Sequence, residues 1–224
     1  MFSFAPSPGV ALASCVVALL LILEAARRSE WRAGTAEHLR WALATAFVLL
    51  GHRMTVRLDS GLELHYLGSA FLALVLGYPR ALVSMAIVLG VECLVPPVGP
   101  ALDLATLSTW GLRVLLGAVL PVWAMWAIVV ACRRWLPRNL FVFLLGCGLF
   151  GLFFSYALQL AGTALAFAAL APTIPRGFGE DFVPYALLLA TGESWLEGML
   201  TTVLVVYVPG SVRLFDEAFY LKRP

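Results

Sequence analysis

Apolar runs follow one another along this chain with short polar intervals, and nothing else in the sequence limits its fold so tightly. The first is PGVALASCVVALLLILEAA at 8–26, and six more cover 38–55, 62–78, 80–96, 104–132, 139–171 and 183–207. A helix needs about 20 predominantly apolar residues, within a range of about 17 to 25, to cross a bilayer. Over 224 residues the chain is 62% hydrophobic and 12% charged, whereas a soluble domain carries about 25% charged residues. No water-surrounded core of this size absorbs so much apolar surface, so lipid is the expected surrounding partner. The fold class is therefore all-α, a polytopic transmembrane helix bundle of about seven spans, expected as a single integral membrane domain over 1–224.

Breaks and charges supply the layout. The third and fourth runs are separated only by Gly77-Tyr78-Pro79-Arg80, a tight break in which glycine suits a cap and proline the first helical turn. The fifth and sixth runs are over-long and have to tilt or kink, with Pro121 the expected kink in the fifth. The sixth reads as one helix or as two. The N-terminal MFSFAPSPGV has no basic lead-in, which predicts a retained first helix rather than a cleaved signal. Placing the N-terminus outside puts Arg27, Arg28, Arg32, Arg40, Arg80, Arg133, Arg134, Arg138, Arg213, Lys222 and Arg223 on the inner side. Arg53, Arg57 and Arg176 then lie outside, eleven basic residues against three. The positive-inside rule selects this topology, N-terminus out and C-terminus cytoplasmic, in a multi-pass inner (plasma) membrane protein. The closing RLFDEAFYLKRP is mixed-charge and amphipathic and predicts a short interfacial tail.

This topology leaves Asp59, Glu63, Glu92, Asp103, Glu180 and Asp181 at or near the outer face, with His65 in the first turn of the third helix. Such a face attracts cations by its field and offers them ligands. Ionisable groups inside a membrane mark function because each is costly in hydrocarbon unless paired or in a polar cavity. Besides His65 they are Glu92, Arg113, Glu193 and Glu197. Glu193 and Glu197 lie one turn apart on one helix face, and the structural alternative for one of them is an ion pair with Arg113. The four cysteines show no CxxC spacing and read mainly as small buried residues. Gly9 with Ala13, and Ala11 with Cys15, give the first helix small-residue faces for close packing.

Several classes drop out. There is no HExxH, no GxSxG and no Walker sequence, so catalytic residues are not assigned and an enzyme is not expected. A net charge of +2 gives no footing for a nucleic-acid partner. No intrinsic cofactor is expected either.

Three blocks carry a resemblance. LHYLGSAFLALVLGYPRAL, VECLVPPVGPALDLATLSTWGLRVLLGAVLP and TGESWLEGMLTTVLVVYVPGSVRLFDEAFYL cover roughly 60–121 and 190–221. They resemble the cobalt/nickel permease subunits of energy-coupling-factor ABC transporters, the CbiM/NikM type, in a divergent proteobacterial branch. The resemblance implies an outward-facing substrate-capture subunit that takes up a transition-metal ion. Its partners would be a coupling transmembrane subunit and ATPase subunits. It also implies nitrogen ligands: the Met1 amine, a histidine in second place, and a helix histidine at whose position His65 stands.

Two residues depart from that pattern. Phe2 replaces the second histidine, and Arg113 stands where the family usually has asparagine. Glu92, Cys93 or His52 is then the candidate to complete the metal site with His65, and Glu92 or Glu193 to neutralise Arg113. The alternative keeps the fold and drops the metal, with Arg113 anchoring a non-metal substrate or the chain serving as a non-transporting scaffold.

Overall fold

The computed structural model describes residues 6–57, 63–95, 104–171 and 178–221. Helix α1 (Pro8–Arg28) begins with proline in its first turn and ends on Arg27 and Arg28, cations that suit the negative end of a helix dipole. Helix α2 (Thr35–His52) follows, then an antiparallel pair, β1 (Thr55–Arg57) and β2 (Glu63–His65), with Thr55 opposite His65. Next come α3 (Ser69–Leu76) and α4 (Tyr78–Leu94). Helix α5 (Leu104–Val114) runs through a π-helical segment, Leu115–Val119, into α6 (Leu120–Trp135). A second π-helical segment, Val142–Gly151, leads into α7 (Leu152–Leu170). The chain closes with α8 (Phe178–Tyr207) and the short α9 (Glu217–Leu221).

Among the described residues three helices are long and apolar enough to cross a membrane: Pro8–Arg28, Leu107–Trp135 and Val142–Leu170. Their outward faces are apolar too, as at Leu12, Leu20, Trp126 and Phe154, each more than half exposed. A contiguous surface of that kind belongs against lipid. The sixth run is thus one helix, Val142–Leu170. In the fifth, the irregular turn at Leu115–Val119 precedes Pro121. Proline has no N–H for the Gly117 carbonyl and its ring crowds that turn, so the hydrogen-bond ladder is rephased there.

The third run corrects the sequence reading. His65 is not in a helix: the chain is extended through Glu63–His65, and helix starts only at Ser69. Gly68 has φ 66°, a left-handed conformation that cannot continue a right-handed helix upstream. At eight residues α3 is about 12 Å long, too short to cross a bilayer. All eight residues are buried, which is the setting where non-helical backbone beside a short helix is tolerated at membrane depth. Gly77, with φ 76°, turns the chain into α4.

The C-terminal segment corrects a second expectation. Arg213 N–H and Leu214 N–H donate to the Val75 and Leu74 carbonyls, each at 3.1 Å, satisfying acceptors left over at the end of α3. Phe215 and Tyr220 are buried, their rings 4.9 and 5.3 Å from Phe143. Aromatic residues of the segment read as an interfacial tail fill the bundle instead.

Helices α2 and α4 run parallel, with Glu37 beside Arg80, Trp41 beside Ser84 and His52 beside Glu92, and charge separates along them. At one end Arg80 donates to Glu37, Arg213 to Glu30 at 2.7 Å, Arg40 to the Gly210 carbonyl at 2.9 Å and Arg133 to the Leu214 carbonyl at 2.7 Å. At the other end lie His52 and Glu92.

Helix α1 packs closely on α5 at Gly111. A Cβ there would stand 2.3 Å from the Cys15 amide nitrogen and 2.5 Å from the Ser14 carbonyl carbon, and backbone atoms cannot swing aside. Gly111→Ala is expected to force the helices apart and lower stability by about 1–3 kcal/mol. Thermal unfolding in detergent measures this, and an unchanged midpoint would count against so close an approach.

Candidate metal centre

Three elements bring three ligating side chains together. His52 is the last residue of α2, Glu92 lies near the end of α4, and His65 ends β2. Their side chains are 1%, 3% and 7% exposed, so each needs a partner inside the protein. His52 Nδ1 lies 2.7 Å from Glu92 Oε1. The two imidazole rings stand 4.6 Å apart, centroid to centroid. One ligand atom from each of the three residues falls within 4.8 Å of the others. Donors about 2.1 Å from a common ion stand about 3.4 Å apart, so closure of about an ångström assembles the set.

The far side of each ring is tied down. His52 Nε2 donates to the Leu67 carbonyl at 3.1 Å, and His65 Nδ1 donates to the Tyr66 carbonyl at 2.9 Å. A carbonyl only accepts, so both of those ring nitrogens carry protons. The tautomer of His65 is thereby set, and its Nε2 is left as a bare lone pair. That atom is buried and has no hydrogen-bond partner, as is true of Glu92 Oε2. Unsatisfied buried acceptors are rare and call for an explanation. A histidine bonded through one nitrogen to a carbonyl while the other faces a shared space is arranged as metal-ligating histidines are.

Arg113 meets this cluster through Glu92. Its Nη2 is 3.6 Å from Glu92 Oε2, so of the counter-ions read from the sequence it meets Glu92 and not Glu193 or Glu197. Cys93 is buried beside Arg113 and is outside the ligand cluster. Met1, Phe2, Asp59 and Asp103 lie outside the described residues, as do the side chains of Glu63 and Asp181.

Glu193 and Glu197 do share a face of α8, but neither points to the ligand cluster. The Glu193 carboxylate accepts the Leu67 N–H at 2.8 and 3.0 Å. Glu197 accepts the hydroxyls of Tyr66 and Tyr156. Ser69 donates to Gln159 at 3.1 Å. Tyr156 and Gln159, which hold the segment 66–71 from α7, are missing from the sequence reading. Their signal is a polar pair three residues apart inside an apolar run.

The family model "Cobalt uptake substrate-specific transmembrane region" (CbiM) matches residues 6–212. The chain belongs to this cobalt-uptake family. Two solved structures share its fold. A transition metal transporter superimposes with TM-score 0.70 at 17% identity, covering 94% of this chain and 92% of that one. A truncated transition metal transporter does so with TM-score 0.68 at 17% identity, covering 92% and 98%. No curated protein matches the chain in sequence. Membership of the cobalt-uptake family makes the chain a membrane component of transition-metal uptake.

Proposed function

We propose that this member of the cobalt-uptake family is the substrate-capture subunit of an energy-coupling-factor transporter. It takes up a transition-metal ion of the cobalt or nickel class through an outward-facing site formed by His52, His65 and Glu92. The observation that supports the reading is the unpartnered, buried Nε2 of His65 facing His52 and Glu92. Two imidazoles and a carboxylate are a donor set that suits divalent cobalt, nickel or zinc. The Met1 amine is a further donor in this reading. His52 stands in for the imidazole that Phe2 cannot supply, so the departure at position 2 is met from another helix.

The remaining assignments follow from it. The N-terminus is outside and the C-terminus cytoplasmic across seven passes of the inner membrane, one made by the short α3 and the extended chain before it. The basic end near Arg80 and Arg213 faces the cytoplasm, where the coupling and ATPase subunits are. A substrate anchored by Arg113 fits less well, because Glu92 already faces its guanidinium.

Metal content tests the reading. Protein purified after cobalt loading should carry one ion per chain, and His65→Ala close to none. Equal metal in both would remove His65 from the account.

A further inference from the structure

Both imidazoles of the site lean on one short piece of backbone, and that backbone leans on one carboxylate. His65 Nδ1–H donates to the Tyr66 carbonyl. That carbonyl belongs to the peptide group whose other end is the Leu67 N–H, and the N–H donates to both oxygens of Glu193. His52 Nε2–H donates to the Leu67 carbonyl. Leu67 is also the residue whose N–H Glu193 holds. Each ring is thus joined to the same buried carboxylate through Leu67, His65 by the Tyr66–Leu67 peptide group and His52 by the Leu67 carbonyl.

Hydrogen bonds in series polarise one another. A peptide N–H aimed at a carboxylate draws negative charge onto its own carbonyl oxygen. A ring N–H that donates to such an oxygen is held more firmly, and the opposite ring nitrogen becomes a better donor to a metal. Outer partners of this kind set the tautomer and basicity of ligating histidines. Glu197 shows what simple clamping looks like: one turn along α8, it grips the same segment through the Tyr66 hydroxyl. Glu193 instead takes a backbone amide, that of Leu67, the residue on which both ring contacts converge.

We infer that Glu193 is the positioning residue of the metal centre, fixing both imidazoles through its hold on Leu67, His65 by the Tyr66–Leu67 peptide group and His52 by the Leu67 carbonyl. Its consequence for affinity rests on the proposed metal reading; its effect on the rings does not.

Nitrogen-15 NMR of histidine-labelled, metal-free protein tests the relay. His65 should carry its proton on Nδ1 and His52 should be protonated on Nε2. Glu193→Gln keeps size and one acceptor while removing the charge. Both ring N–H resonances should then move upfield together, and the dissociation constant for Co²⁺ should rise about tenfold. His65 protonated on Nε2 in the wild type would overturn the inference, and so would a Glu193→Gln variant in which neither ring responds. The wild-type tautomers decide even if that variant does not fold. If wild-type protein binds no cobalt, the metal reading falls and the ring resonances alone decide the role of Glu193.

Discussion

His52→Ala should weaken Co²⁺ binding by about 100-fold or more, a loss comparable to that in His65→Ala. Removing an outer partner of a metal ligand already costs about 10- to 100-fold, and His52 is placed to be a ligand. Its Nδ1 faces Glu92 at 2.7 Å, and its ring stands 4.6 Å from that of His65. The variant discriminates between two sites that the sequence leaves open. In one, the ion sits on Met1 and His65, and His52 merely fills the end of α2. In the other, His52 replaces the imidazole missing at Phe2. Titration of detergent-purified protein, with circular dichroism to confirm the helical fold, separates them. Wild-type affinity in His52→Ala, together with loss of binding when the amino terminus is blocked, would place the ion on the first site and overturn ours.

Much of this architecture is legible in the sequence because lipid makes patterning simple. A helix in hydrocarbon must satisfy its own backbone and present apolar side chains, so α1, α7 and most of α8 appear as uninterrupted runs. The third run misleads for a related reason. Residues 66–76 are nearly all buried in protein rather than exposed to lipid, and hydropathy does not distinguish the two surroundings. What breaks the helix is Gly68 with its positive φ, next to Leu67, whose N–H is held by Glu193 from 126 positions away. Neither Gly68 nor Glu193 carries a local signature. The candidate site was legible in part. His65, His52 and Glu92 are recoverable as ionisable groups that a membrane tolerates only for cause. Their grouping depends on α2 and α4 ending side by side, which a single sequence does not state. The pairing of Arg113 with Glu92 rather than with Glu193 turns on the same register.

Arg113 supports the second large expectation: Arg113→Asn should bind Co²⁺ about tenfold more tightly and deliver it more slowly. In the wild type the guanidinium lies 3.6 Å from Glu92 Oε2, an atom with no hydrogen-bond partner. An arriving cation has to share that carboxylate with a cation already present. Two unit charges about 4 Å apart interact by about 4 kcal/mol at an effective dielectric of about 20, and a third of that is a tenfold change in affinity. Asparagine removes the competing charge and leaves Glu92 to the metal. The same competition helps the ion depart, because Arg113 neutralises Glu92 as the site empties. Tighter binding without that help means slower release, so cobalt uptake by cells at saturating metal should fall while the dissociation constant improves. Were Arg113 instead the anchor of an anionic substrate, Arg113→Asn would leave cobalt affinity unchanged and weaken binding of that anion. The two readings therefore part on one variant, read by equilibrium titration and by uptake rate.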